Sequence, residues 1–347
     1  MSEMSYSVLE DLKEIFQMDR SRIEHEFAPY FYQYFLGCWN SPLEVDKYGD
    51  YCKHIFDVTK ADGKRVLDVG CGFGLISFFL ATFGAQKVTS VDHNEEKVSV
   101  FHKILSQFNP ALTNIEVRIE DGISLQCGDE SFDVAIANDV IAHVRDLEAF
   151  VSEMSRVLTR GGILYISEGH ISLNLFERLK SRRLWRRVEY GPVNETSLRG
   201  TDKPLPYLFQ RREIIKEKFP YLGSKTLDLL AKETAGLYGS QIIMAVEEYL
   251  REGKVLNKPK FKFRNPETGE YPEFEFNPFK LKKRLEEVGF SAKLIKPYFY
   301  LGYPPFSAKR GHLLNSVGWV GVRVIRAFHP LSILIAPRFE IVARKKG

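Results

Sequence analysis

Short apolar runs alternate with helical stretches through the middle of the chain. The runs of strand length occupy residues 65–69, 87–91, 115–119, 132–137 and 163–166. Among the stretches between them, residues 146–158 carry apolar side chains at the spacing of one helix face, and the glycine pair at 161–162 is expected to end that helix. This alternation predicts a mostly parallel sheet with helices on both faces.

The chain changes character on either side of this alternating core, which predicts four segments. They are a helical N-terminal cap at 1–60, the core at 61–170, an insertion at 171–276 and a closing segment at 277–347. The insertion is too long for a loop and must hold structure of its own, which we expect to be mostly helical. In the closing segment Asn277 and Pro278 open a helix, and strands at 291–300 and 338–344 bring the sheet to seven strands.

The first strand runs into a glycine-rich turn that is followed by a helix. The turn reads Asp68-Val69-Gly70-Cys71-Gly72-Phe73-Gly74. Glycine is needed where the backbone takes a positive φ or where a ligand approaches the main chain closely. The dinucleotide fingerprint would also require a small residue at position 75, and this chain has Leu75 there. The turn therefore predicts a ligand site but argues against NAD and FAD.

Polar residues follow the next three strands at their carboxyl ends. Asp92 closes the second strand, Asp121 follows the third, and Asn138 and Asp139 follow the fourth. Open α/β sheets bind ligands at this edge, and an acid after the second strand is placed to accept hydrogen bonds from ribose hydroxyls. Together with the glycine-rich turn after the first strand, these three strand ends predict a ligand that contains a nucleoside.

In these motifs the sequence resembles the class I S-adenosylmethionine (SAM)-dependent methyltransferases, in particular the UbiE/UbiG-like group with its methyltransferase type 11 domains. The matching segments are 66–74 (first motif), 132–144 (fourth strand and turn), 158–162 (turn before the fifth strand) and 285–290 (late helix). The resemblance implies a Rossmann-like fold, SAM as cofactor and S-adenosyl-L-homocysteine as product. It does not extend to residues 171–275.

The resemblance also implies roles for individual residues. Those implied for the methionyl half of SAM are the turn residues Gly70, Cys71, Gly72 and Gly74, with Asp68, Asn138 and Asp139 near its amino group. Those implied for the nucleoside half are Asp92 at the ribose hydroxyls, His93 beside the adenine, and Asp121 with the backbone of Gly122 at the adenine amino group. The alternative for either Asp92 or Asp121 is that it only caps the following helix.

Three side chains near the strand ends are candidates for a catalytic base: His143, Glu168 and His170. Histidine titrates near neutrality and is the usual choice, so we place His143 and His170 first. A base is required only if the methyl acceptor must lose a proton, and the sequence leaves that open. No two histidines have ligand spacing with suitable acids, so we predict no metal site.

Charge is distributed unevenly along a chain whose formal net charge is +4. Residues 1–170 sum to −12 and residues 171–347 to +16. The basic half predicts an anionic partner, unless the two halves simply complement each other. The four cysteines form no C-x-x-C pair and the first residues show no signal peptide, so a cytoplasmic location is expected.

These observations favour methylation of a small-molecule acceptor, most readily at an oxygen of an anionic or aromatic metabolite. The alternatives are methylation of RNA or another macromolecule, although no nucleic-acid-binding module is recognisable, and a non-catalytic scaffolding subunit. Residues 311–337 are apolar with interspersed arginines, which favours packing on the last strands or on a second subunit and leaves open a peripheral membrane contact.

Overall fold

The computed structural model describes most of the chain outside the N-terminal cap and the closing segment. The described residues are 42–107, 112–144, 146–169, 172–191, 206–256, 262–267, 275–298 and 338–347, with isolated positions at 21, 22, 25, 27, 31, 259 and 269. The predicted membrane or self-association segment at 311–337 and the candidate base His170 lie outside them. Within them the chain forms two compact units, Leu175–Glu275 and the remainder.

The larger unit is built on a seven-stranded sheet. Its strands are β1 (Arg65–Val69), β2 (Lys87–Asp92), β3 (Ile115–Ile119), β4 (Phe132–Asn138), β5 (Leu158–Glu168), β6 (Phe290–Ile295) and β7 (Phe339–Lys345). They lie in the order β3-β2-β1-β4-β5-β7-β6. Strands β1 to β5 pair in parallel, whereas β7 pairs antiparallel with both β5 and β6. The predicted mostly parallel, Rossmann-like sheet is therefore confirmed, and the strand order reverses between β1 and β4.

Helices cover both faces of this sheet. They are α1 (Pro42–Thr59), α2 (Leu75–Phe83), α3 (Glu95–Gln107), α4 (Leu147–Val157) and α9 (Pro278–Glu287). One apolar cluster joins α1, α2 and α3 to one face, and a second joins α4 and α9 to the other. Burying both faces explains why the strands read as continuous apolar runs rather than alternating ones.

The boundary between α4 and β5 differs from the predicted one. The helix ends at Val157 and β5 begins at Leu158, so Gly161 and Gly162 lie inside the strand rather than at the end of the helix. The pairing register of β4 with β5 shifts between Phe132 and Val134, and Gly161 has a φ of 76°. The glycine pair therefore supplies a bulge in β5, because only glycine adopts that backbone shape readily.

The smaller unit, Leu175–Glu275, is helical where it is described. Its helices are α5 (Leu175–Tyr190), α6 (Tyr207–Lys218), α7 (Ser224–Glu233) and α8 (Ser240–Glu252). They share an apolar core that includes Ile215, Leu230 and Ile242. The chain leaves and re-enters the larger unit at one place, since the Ser172 amide donates to the Phe276 carbonyl over 2.8 Å. That this unit covers an active site stays a prediction.

Candidate active site

The glycine-rich turn lies at the carboxyl edge of the sheet, where β1 ends. Gly70, Gly72 and Gly74 all have positive φ, at 64°, 56° and 83°. The Cys71 amide donates to the Val91 carbonyl over 3.0 Å, which ties the turn to the end of β2. The predicted bend is therefore present, and its shape requires glycine at three positions.

The three glycines differ in what surrounds them. A Cβ at Gly70 would lie 2.5 Å from the side chain of Val140, and one at Gly74 would lie 2.3 Å from the ring of Phe101. A Cβ at Gly72 would meet no atom of the described residues within 4 Å. The outer two glycines thus allow tight packing of the protein, whereas Gly72 leaves its backbone open to a close approach from outside.

The carboxylate of Asp92 lies directly beside this open glycine. Its Oδ2 accepts a hydrogen bond from the Gly72 amide over 2.9 Å, and its Oδ1 accepts one from the Asn94 amide over 2.9 Å. The cap of α3 is Asn94, whose Oδ1 accepts from the Lys97 amide, so capping this helix does not explain Asp92. Each carboxylate oxygen keeps acceptor capacity for a further donor such as a ribose hydroxyl.

The end of β3 meets the same edge. The Glu120 amide donates to the Asp92 carbonyl over 3.2 Å, so the exposed Asp121, the next residue after Glu120, follows a contact with the end of β2. The Oδ1 of Asp121 accepts from the Ile123 amide, and a Cβ at Gly122 would lie 2.7 Å from Val69. The neighbouring His93 is largely exposed. The structure therefore brings the residues predicted for the nucleoside half to one rim, and their contacts with a nucleoside remain predictions.

On the other side of the turn, Asn138 and Asp139 belong to a polar network that sequence reasoning missed. Arg338 donates to the Asp139 Oδ1 over 2.9 Å and to the Ser167 Oγ over 2.9 Å. The Tyr51 hydroxyl donates to the Asn138 Oδ1, and its oxygen also lies within hydrogen-bond distance of the Ser167 Oγ. Burial raises the pKa of Tyr51 well above its usual value, so its hydroxyl keeps its proton. The network joins α1, β4, β5 and the residue before β7.

A model of the methyltransferase domain family matches residues 60–211, which contain the turn, all four strand ends and β5. Residues 60–211 therefore form a SAM-dependent methyltransferase domain. This domain confirms the expected Rossmann-like fold and the expected cofactor, SAM.

The curated relatives of this domain include two kinds of methyltransferase. The chain is 31% identical over 129 residues to a ubiquinone biosynthesis O-methyltransferase of Actinobacillus pleuropneumoniae, covering 37% of this chain and 52% of that one. It is 34% identical over 131 residues to an arsenite methyltransferase of Mus musculus, covering 35% of each. The chain thus spans a third to a half of the length of these curated relatives.

Solved methyltransferases are more distant. A SAM-dependent methyltransferase from Methanosarcina mazei is 19% identical, with a TM-score of 0.42, over 84% of this chain and 97% of that one.

The structure fits SAM at the glycine-rich turn of this domain. Gly72 leaves room for a ligand to lie against the backbone, and Asp92 supplies buried acceptor oxygens beside it. Gly70 packs against Val140, so the turn and the Asn138–Asp139 pair are neighbours at the edge. One SAM molecule could therefore contact Asp92 through its ribose and the Asn138–Asp139 pair through its methionyl group.

The structure buries Asp68, and its expected role beside the methionyl amino group, directly or through water, stays a prediction. Its carboxylate is buried beneath the turn and accepts a hydrogen bond from the Ser77 Oγ over 2.6 Å, and Ser77 also contacts the Ser90 Oγ. Burial raises the pKa of Asp68 to about 7, which the Ser77 hydrogen bond lowers only in part and the nearby Asp92 raises further.

The candidate bases are placed differently by the structure. His143 is exposed on a short 3₁₀ turn, Ile141–His143, just after β4. Glu168 is buried, and its two oxygens accept from the amides of Ala142 and Gly169, over 3.2 and 2.8 Å. We therefore assign Glu168 to positioning the loop that carries His143. Among the described residues, no group of three or more His, Cys, Asp and Glu side chains could hold a metal ion.

Proposed function

We propose that this chain transfers the methyl group of SAM to an oxygen atom of an anionic or aromatic small molecule. The hydrogen bond from the Gly72 amide to the Asp92 carboxylate carries the cofactor half of the proposal, because it joins the two elements that would grip a nucleoside. The acceptor half is supported by relatives named as O-methyltransferases. The relative named for arsenite shows that similar domains serve unlike acceptors.

The polar network at β4 and β5 supports an anionic acceptor. Arginine favours carboxylates through paired hydrogen bonds, and Arg338 lies where β5 and β7 meet the ligand-binding edge. Asp139 and Ser167 hold its guanidinium in place. The Tyr51 ring lies 5.8 Å from that of Tyr298, which supplies an aromatic surface beside the same network.

When bound, SAM supplies a methyl group activated by its sulfonium. The chain's part in the reaction is to align the acceptor oxygen with that group, to exclude water and to accept a proton where one must leave. His143 is the candidate for the last task, because it is exposed on the loop after β4 and neutral imidazole accepts protons near pH 7. An acceptor that is already a carboxylate or a phenolate needs no base.

Titration calorimetry with SAM and with S-adenosyl-L-homocysteine tests the cofactor half directly. Binding in the micromolar range supports the proposal, and absence of binding at millimolar cofactor would end it. Transfer of labelled methyl groups from SAM to panels of phenols and carboxylic acids then tests the acceptor half. If His143 is the base, His143→Gln removes transfer to un-ionised hydroxyls but spares carboxylates, while cofactor affinity stays unchanged.

A further inference from the structure

Helix α5, at the start of the smaller unit, is anchored along one face. Its Glu189 forms a buried ion pair with Arg211 of α6, whose Nε also donates to the Ala231 carbonyl over 2.7 Å. Ser181 is buried on the same side, and the Trp185 ring lies 5.6 Å from that of Phe263. Since these contacts share one face, the orientation of the helix within its unit is set.

The opposite face of α5 is exposed and carries cations among apolar side chains. Its exposed cations are Lys180, Arg182, Arg183, Arg186 and Arg187. Its exposed apolar residues are Leu175, Leu179 and Tyr190, at 60%, 44% and 57%. At 100° per residue, all eight fall within an arc of about 160°, and the three apolar positions lie inside the span of the cations.

Three arginines of this face, Arg182, Arg183 and Arg186, have no acidic partner among the residues that the structure describes. On α9, by contrast, Lys282, Lys283 and Arg284 all pair with glutamates. A solvated helix face usually mixes both signs, as α9 does, so the single-signed face of α5 calls for an anionic partner from outside.

We propose that this face of α5 binds an anionic lipid surface, with the helix lying parallel to it. The arginines would meet lipid headgroups while Leu175, Leu179 and Tyr190 enter the boundary between headgroups and acyl chains. A nucleic acid would use the cations but offers no apolar layer for two leucines. The helix lies on the surface rather than across it, and no helix of the described residues is long and apolar enough to span a bilayer.

Cosedimentation of the full chain with vesicles tests the charge of this surface. The vesicles are phosphatidylcholine alone, and phosphatidylcholine with phosphatidylglycerol in equal parts, at low and high salt. We expect binding only to the anionic vesicles and only at low salt. Since each cation contributes about fivefold, R182S/R183S/R186S should lose on the order of a hundredfold in partition. The control K280S/K293S/K296S removes the same charge from exposed positions of the larger unit and should lose far less.

A second pair of variants tests the apolar part without changing charge. Leu179→Ser should weaken vesicle binding by on the order of tenfold. Leu229→Ser on α7, where the leucine is exposed to the same extent at 43%, should leave binding unchanged. Far-UV circular dichroism and binding of S-adenosyl-L-homocysteine confirm that each variant is folded.

Two results would overturn the lipid assignment. One is failure of the unaltered chain to bind anionic vesicles. The other is equal vesicle binding by Leu179→Ser and Leu229→Ser together with arginine-dependent retardation of RNA, which would make the face a polyanion site instead.

Discussion

The two sides of the sheet's carboxyl edge are built in different ways. On the side of β1, β2 and β3 the contacts run through the backbone, as in the hydrogen bond from the Gly72 amide to Asp92. On the side of β4, β5 and β7 they run between side chains, with Arg338 and Tyr51 reaching Asp139 and Ser167. A site made from a backbone turn serves a constant cofactor, whereas a side-chain network is free to vary with the acceptor.

The largest effect on stability should come from adding a side chain to the glycine-rich turn at Gly70. Gly70→Ala combines a positive φ with a Cβ 2.5 Å from Val140, so we expect a loss of about 3 kcal/mol or more in the free energy of unfolding. Gly63→Ala has a similar φ of 62° with no neighbour within 4 Å among the described residues, and should lose only about 1 kcal/mol. Urea unfolding measures both, and equal losses would show that Val140 does not press on the turn.

The next effect concerns the carboxylate on that side. Asp92→Ala should weaken binding of S-adenosyl-L-homocysteine on the order of a hundredfold, since it removes two hydrogen-bond acceptors that carry charge. Asp57→Ala, at an exposed position of α1, is the control and should bind as the unaltered chain does. Calorimetry decides, and an unchanged affinity for Asp92→Ala would remove the ribose assignment.

Beneath the turn, Asp68 makes stability depend on pH. Its pKa is about 7 in the folded chain and lower when unfolded, so the folded state holds a proton that the unfolded state releases. Its stabilising contribution is present at low pH and is lost as the pH rises through 7. Asp68→Asn cannot ionise and does not lose this stability. The free energy of unfolding of Asp68→Asn minus that of the unaltered chain should therefore rise by about 2 kcal/mol from about pH 5 to about pH 8. Thermal melting of both proteins across this pH range measures the difference in stability, and a difference that does not change with pH would contradict this.

The smallest effect belongs to the side-chain network. Tyr51→Phe removes the hydroxyl that donates to Asn138 and contacts Ser167, and should cost about 1 kcal/mol of stability. Because the backbone side is untouched, the affinity for S-adenosyl-L-homocysteine should change much less than in Asp92→Ala. A loss of affinity as large as that of Asp92→Ala would show that the two sides do not act separately.

The same difference explains what could be predicted from sequence. The turn, Asp92 and Asp121 follow their own strands directly, so strand periodicity was enough to bring them to one edge. Tyr51 and Arg338 are 116 and 171 residues from Ser167 in the chain, and no spacing connects them. Arg338 was visible only as the first residue of a predicted strand, and its partners depend on β7 pairing with β5.

Local structure limited the remaining predictions. Helix α2 and the start of α9 agree with the sequence, since a glycine turn and an Asn-Pro pair mark them. The observed start of β5 differs from the predicted one, because in the sequence a glycine pair that forms a bulge cannot be told from a glycine pair that ends a helix. The burial of Asp68 also had no signal in the sequence, because its partner Ser77 comes from the next helix rather than from the turn.

The central claim is that Gly72 leaves its backbone open for the cofactor. Calorimetry with S-adenosyl-L-homocysteine on Gly72→Ala and Gly63→Ala tests it directly, since both glycines have positive φ and neither added Cβ meets a described atom within 4 Å. The claim predicts similar losses of folding stability in the two variants, with cofactor binding abolished in Gly72→Ala alone. Undiminished binding by a folded Gly72→Ala variant would contradict it.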